Sequence, residues 1–156
     1  MEIGAWAGKS TGALLAGSSG RTIHTVDNWN GRCEAYSENI TGEMVREAFY
    51  ARVQPAINAC RLKVFEGDYR EVLPVLDKGA YDLIFVDGPH GEEHAEPTVR
   101  LTLPLLRAGG RIALHDADGS WPGVNQMVER IQGTGEFEHG RVVETMAIFR
   151  RKQGQD

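Results

Sequence analysis

The chain is poor in cysteine: Cys33 and Cys60 are its only two, and no Cys-x-x-Cys spacing exists. Two thiols in a domain of this size make no disulfide framework, and the missing spacing removes the usual zinc signature, so both are read as free. Positive charge is also short. Lys and Arg total 17 against 22 Asp and Glu, a formal net charge of -5. That balance argues against a general binder of phosphate backbones, so no nucleic-acid partner is expected. No apolar run approaches the ~20 residues that cross a bilayer, and no charged segment followed by an apolar one opens the chain as a secretory signal would. No membrane partner is expected, and the cytoplasm is the expected location. Without a secretory route, the sequon Asn39-Ile40-Thr41 reads as chance. Repeats and low-complexity tracts are absent as well. Residues 1–150 read as one domain, and 151–156 as a solvated tail.

What is present is ordinary in bulk and ordered in sequence. Hydrophobic residues make up 41% and charged residues 25%, values of a globular chain able to bury a core. Short β-branched runs alternate with helix-like stretches. Met1-Ile3, Thr22-Val26, Leu62-Phe65, Tyr81-Val86 and Arg111-Leu114 read as strands, the last after a turn at Gly109-Gly110. Thr11-Ala16, Glu43-Ala59, Tyr69-Leu76, Glu92-Leu106 and Val124-Ile131 read as helices. Pro55 is expected to kink or shorten the second of these, and Pro97 and Pro104 to interrupt the fourth. Arg141-Phe149 is expected to close the sheet as one antiparallel strand. The alternation predicts an α/β, Rossmann-like three-layer sandwich, a mostly parallel sheet with a C-terminal antiparallel strand. Ligands of such sheets bind beyond the carboxyl ends of the strands. Gly4, Asp27, Asp68, Asp87, His115 and Asp116 stand at those positions.

The first strand runs into Glu2-Ile3-Gly4-Ala5-Trp6-Ala7-Gly8. Gly4 permits a tight turn and close backbone approach, and Gly8 would open a helix whose first N–H groups are free. Asp27 ends the second strand about 20 residues on, where an acid can take both hydroxyls of a ribose. Four readings compete for this turn. A dinucleotide site wants a glycine where Trp6 stands, and a bulky indole obstructs a pyrophosphate. A P-loop needs one more residue between Gly4 and Gly8 than this chain has, despite Lys9-Ser10. A purely structural turn is the third. Acidic Glu2 suits a cation, so a ligand carrying adenosine and a charged amino acid, such as S-adenosylmethionine, fits best.

Five segments in order resemble the class I S-adenosylmethionine-dependent methyltransferases. They are the glycine turn through Thr11, His24-Thr25-Val26-Asp27-Asn28-Trp29, Phe65-Glu66-Gly67-Asp68-Tyr69, Tyr81 to His90, and Leu103 to Asp116. The nearest branch is that of small-molecule O-methyltransferases of the macrolide-sugar and catechol-like kind. The resemblance implies a cofactor site of Glu2, Gly4, Ala5, Trp6, Gly8, Asp27, Asn28, Trp29, Gly67, Asp68, Tyr69 and Asp87. Glu2 and Gly4 would hold the methionine end, Asp27 the ribose diol, and Asp68 the adenine, with Tyr69 beside it. For three of these a local reading stands alongside: Asp27 as a strand-end cap, Asp68 as a helix N-cap, and Trp29 as packing. The chain departs from the pattern twice. The sequence starts within the first strand, where the family usually has further chain as cover. It is expected to be either a shortened chain or a minimal version with an open pocket, for which contacts in a homo-oligomer could substitute. In addition, Pro89 replaces an acid of the fourth-strand segment.

Methyl transfer to a hydroxyl needs an aligned nucleophile and a route for its proton. The expected partner is therefore a small-molecule hydroxyl acceptor. The resemblance suggests Asp87 and Asp116, with Asp118 or His115 nearby, as ligands of a divalent cation such as Mg2+, a hard ion suited to carboxylates. The local alternative makes Asp116-Ala117-Asp118 a turn. His90 and His115 are the candidate bases, because imidazole titrates near neutrality. His90 and His94, four apart, would share a helix face and offer a weaker zinc spacing. His24 and His139 suggest no chemistry. Transfer to nitrogen is disfavoured by the absence of an Asn/Asp-Pro-Pro-Tyr segment. A cofactor-binding module or inactive remnant, and a P-loop phosphotransferase, are the readings from other classes.

Overall fold

The computed structural model describes residues 1–30, 39–88 and 90–154; Cys33 and Pro89 lie outside them. Two compact units divide the chain, Glu2–Tyr69 and Met1 with the residues from Arg70 on.

In the first unit, β1 (Glu2–Ile3), β2 (Ile23–Asp27) and β3 (Leu62–Glu66) run parallel with β2 in the middle. Glu2 lies opposite Thr25, and Asp27 opposite Glu66. Helix α1 (Lys9–Gly17) follows the glycine turn, and α2 (Gly42–Asn58) precedes β3. Thr41 caps α2 by accepting from the Met44 N–H at 3.2 Å, which satisfies one of the donors a helix start leaves open. Pro55 neither kinks α2 at mid-length nor ends it. It sits in the last turn and the helix continues to Asn58, so only one ladder bond is lost where the helix is finishing. Val45, Phe49 and Val53, four apart, form the buried stripe of α2. That stripe joins Ala5, Ile23, Trp29 and Leu62 in the core of this unit.

Helix α3 (Tyr69–Val72) is a single turn followed by a 3-10 turn at Leu73–Val75, shorter than the helix expected to Leu76. In the second unit, β4 (Tyr81–Val86) pairs parallel with β5 (Leu106–Leu114). Antiparallel β7 (Met146–Arg150) follows beside β5, and β6 (Arg141–Val143) lies outside β7. Helices α4 (Glu92–Thr102) and α5 (Pro122–Gly133) pack on each other. Pro97 lies inside α4, and Pro104 belongs to the 3-10 turn Leu103–Leu105 that ends it. The core strands bury Ile84, Ile112, Leu114 and Phe149, and α5 adds Met127 and Ile131.

Three expectations are corrected here. Gly109-Gly110 is no turn before a strand. Both glycines belong to β5, where the register against β4 shifts between Tyr81 and Leu83. Gly109 has φ +71°, and a Cβ at Gly110 would fall 2.8 Å from Leu106 Cδ1, so the irregularity needs both glycines. The C-terminal segment is two strands, because Glu144 at φ +54° reverses the chain between β6 and β7. The pairing also runs past residue 150. Arg151 bridges Phe137, and its guanidinium donates to the carbonyls of Leu103 and Leu106 at 3.0 and 2.7 Å. Among the described residues no helix is long and apolar enough to cross a membrane.

Candidate active site

The glycine turn is built on left-handed backbone. Gly4, Trp6 and Gly8 have φ of +87°, +47° and +78°. Gly8 sits at the start of α1, where a Cβ would meet Phe49 Cδ2 at 3.0 Å. Trp6 adopts this conformation without being glycine, which costs energy the surroundings must supply. They do so through Asp27. Its Oδ2 accepts from the backbone N–H groups of Ala5 and Trp6 at 2.7 and 2.9 Å, and its Oδ1 from that of Trp29 at 2.8 Å. A carboxylate offers about four acceptor positions. Three are used, and the one left lies on Oδ1.

Glu2 lies beneath the turn rather than on its surface. It is fully buried, and its Oε2 accepts from Thr11 Oγ1 at 2.5 Å and Thr25 Oγ1 at 2.8 Å. The acid thereby ties β1 to α1 and to β2. Trp29 is packing: it is buried, its ring lies 5.1 Å from that of Phe49, and its Nε1–H donates to the Trp6 carbonyl at 3.0 Å. Asn28 closes a local turn by accepting from the Asn30 N–H at 3.0 Å. The Gly67 N–H donates to the Asp27 carbonyl at 3.0 Å, which sets Asp68 and Tyr69 directly after β3. Tyr69 is buried. At the same strand end Glu66 accepts from Arg46 Nε and Nη2 at 2.9 and 3.0 Å and from the Tyr50 hydroxyl at 2.5 Å. Burial first, then that bond, raises the Tyr50 phenol to about 12.

In the second unit the ends of β4 and β5 gather a mixed group of acids and histidines. The His115 N–H donates to the Val86 carbonyl at 2.9 Å, which aligns the two strand ends. His115 Nδ1 lies 3.1 Å from Asp87 Oδ1 and 3.0 Å from Asp116 Oδ1. His90 Nε2 lies 3.0 Å from Asp116 Oδ2. Both nitrogens are buried atoms. Asp87, His90 and Asp116 each offer one ligand atom, and these atoms lie within 4.8 Å of one another. Burial pushes the Asp87 carboxyl above its usual range; His115 opposes this, and the Asp116 charge reinforces it. A half-buried carboxylate held near a second one and an imidazole has the composition of a divalent-cation site.

Asp118 is not brought into this group. Its Oδ1 accepts from the Ser120 N–H at 2.9 Å, which also holds its carboxyl below the usual range. It lies in the turn over residues 117–120. His90 is the third side chain beside Asp87 and Asp116. The His90–His94 pairing fails too, because α4 begins at Glu92 and His90 precedes it. His24 packs edge-on against Phe65, and burial lowers its pKa; His139 is exposed. Two residues outside the sequence reading touch the group. Thr145 Oγ1 lies 3.4 Å from His115 Nε2, and the Trp121 ring lies 4.9 Å from that of His90. The available signal was position alone: Trp121 follows the loop after β5, and Thr145 lies in the turn between β6 and β7.

A family model described as a methyltransferase domain matches residues 1–117. No curated protein matches the sequence. Among solved structures, the SAH-bound methyltransferase PaMTH1 of Podospora anserina superposes with a TM-score of 0.72 at 21% identity, covering 97% of this chain and 70% of that one. TomG, an O-methyltransferase of Streptomyces achromogenes involved in tomaymycin synthesis and solved with SAM, gives 0.67 at 20% identity, covering 98% and 72%. CalS11, a TDP-rhamnose 3'-O-methyltransferase of calicheamicin biosynthesis, gives 0.66 at 21% identity, covering 96% and 69%. Likeness at these identities carries the fold: Rossmann-like, mostly parallel, with antiparallel strands at the C-terminus.

Proposed function

This chain belongs to the class I S-adenosylmethionine-dependent methyltransferases, and from that membership we propose that it methylates a hydroxyl of a small molecule, with a divalent cation held by Asp87, His90 and Asp116. The observation that carries the reading is the grouping of those three side chains within 4.8 Å. The ring nitrogens of His90 and His115 lie 3.0–3.1 Å from the carboxylate oxygens of Asp87 and Asp116, and this close grouping of acids and imidazoles supports a cation there. Two structural relatives are described as O-methyltransferases, which supports a hydroxyl as acceptor.

The residues divide the work. In the first unit, Asp27 rigidifies the turn and offers the remaining lone pair of its Oδ1 to a ribose hydroxyl. Glu2 positions the turn from below. Asp68 and Tyr69, following β3, are the proposed adenine contacts. Bound S-adenosylmethionine supplies a sulfonium methyl group: the carbon–sulfur bond breaks as a carbon–oxygen bond forms to the acceptor, leaving a neutral thioether. In the second unit, Asp87, His90 and Asp116 would hold the cation, the two carboxylates compensating its charge; it would acidify the acceptor hydroxyl, whose proton would pass to solvent. His115, with Nδ1 toward both carboxylates and Nε2 toward Thr145, orients them. In a second reading His90, 3.0 Å from Asp116, takes the hydroxyl proton as a general base without a metal.

The test is release of S-adenosylhomocysteine with a panel of phenolic and sugar acceptors, before and after chelation. Activity lost on chelation and restored by Mg2+ or Mn2+ is the expected result. Activity that survives thorough chelation favours His90 as base. No calorimetric binding of S-adenosylmethionine, with tight binding of Mg-ATP, would overturn the methyltransferase reading itself.

A further inference from the structure

The loop between β5 and α5 carries an aromatic residue that neither the cofactor nor the cation needs. Trp121 is 41% exposed, although it is the largest side chain in its segment. Its ring lies 4.9 Å from the His90 ring at an interplanar angle of 33°, and His90 reaches Asp116. One part of the indole thus borders the acid–histidine group while much of the rest faces solvent.

The loop holding it is braced at three points. Asp118 Oδ1 accepts from the Ser120 N–H at 2.9 Å. Asn125 Nδ2 donates to the Gly119 carbonyl at 3.1 Å. Gly123 lies so close to the chain at His90 and Gly91 that a Cβ there would run into their carbonyl oxygens. Pro122 adds a fixed φ at the first turn of α5. A braced loop that presents an exposed indole is pre-organised, because the indole loses little freedom when a ligand covers it.

We propose that Trp121 is the acceptor-recognition residue, and that it takes an aromatic ring bearing the hydroxyl to be methylated. The inference rests on the methyltransferase reading and deepens it. An indole beside an imidazole offers a π-face on which a flat ring stacks in the offset geometry that aromatic pairs prefer. A phenolic hydroxyl ionises near pH 10, by analogy with tyrosine, within reach of assistance from a carboxylate–histidine group. An aliphatic hydroxyl is far weaker as an acid. Asp118 gains its role here, as a brace of the platform.

The test is NMR titration of the indole N–H signals with catechol, in the presence of Mg2+ and S-adenosylhomocysteine. The Trp121 signal is identified by its loss in Trp121→Phe. Catechol is expected to shift that signal saturably, and trans-cyclohexane-1,2-diol, a diol without a flat ring, is expected to leave it in place. Trp121→Ala is expected to weaken catechol about tenfold, and Trp121→Phe to keep the affinity within about threefold. An unmoved signal, unchanged affinity in Trp121→Ala, or an equal shift by the aliphatic diol overturns the proposal. So does a dimer-to-monomer change in Trp121→Ala by sedimentation, which would assign the indole to a contact between copies. Calorimetric binding of S-adenosylhomocysteine, a property of other residues, reports separately on the methyltransferase reading.

Discussion

Replacing Asp27 by Asn separates a brace from a ligand contact. Asp27 accepts three backbone N–H bonds, from Ala5, Trp6 and Trp29, at 2.7–2.9 Å. Asn keeps the shape but has one acceptor oxygen and one donor group. Its best orientation keeps the oxygen on Ala5 and Trp6 and turns its NH2 toward the Trp29 N–H, so one bond is lost and two donors face each other. The lost charge-assisted bond is worth about 1.5–3 kcal/mol, and the two retained bonds weaken when the acceptor becomes neutral. The expected loss is about 2–4 kcal/mol, a sizeable share of the roughly 5–15 kcal/mol typical of a domain. Urea unfolding of the ligand-free protein reads it directly. The melting temperature should fall by about 10 °C on the scale expected for this chain length. Weaker S-adenosylmethionine binding should accompany the loss, because the turn and the open Oδ1 position change together. If the ligand-free protein is as stable as the wild type while cofactor affinity falls, Asp27 acts as a ribose contact alone and the bracing argument is refuted.

Two further outcomes follow from the same geometry. Gly8→Ala forces φ +78° on a residue with a Cβ and sets that Cβ 3.0 Å from Phe49. It should cost about 2 kcal/mol, whereas Gly12→Ala, inside α1 with nothing within 4 Å, should gain about 0.5–1 kcal/mol. Equal denaturation midpoints for the two variants would contradict the packing at Gly8. Tyr50 should ionise late. Its folded pKa, about 12, exceeds the ordinary tyrosine value of 10.0, so its contribution to stability is fully present below about pH 10 and is lost as pH rises through about 12. The phenolate absorbance difference between wild type and Tyr50→Phe should titrate in that window; a difference curve centred at 10 would remove the Glu66 bond from solution.

The strands were legible because each is a short apolar, β-branched run that stops at a polar residue. Tyr81–Val86 matches its expected bounds, and β2 and β3 each extend one residue beyond the expected end. Gly109-Gly110 misled because paired glycines usually mark turns, and only the register of β4 against β5 reveals an irregularity inside a strand. The β6–β7 reversal was hidden because Glu144 takes a positive φ that glycine or asparagine would have advertised. In the site, the turn residues and the acids after the strands were legible as a set, but their division of labour was not. His90, not Asp118, lies with Asp87 and Asp116, because spacing along a loop does not say which side chain points inward.

Taken alone, the sequence determined what depends on neighbours along the chain. That includes where backbone can turn left-handed, as at Gly4 and Gly8, which runs alternate as strand and helix, and which acids follow strand ends. Tertiary structure decided where the polar atoms of those acids go. Oδ2 of Asp27 faces N–H groups 21 and 22 residues away, and Oε2 of Glu2 faces hydroxyls 9 and 23 residues away. Backbone dihedral preferences are local and can be read from residue type. A carboxylate's partners are whichever donors the fold brings within about 3 Å, and that choice exists only once the strands have paired.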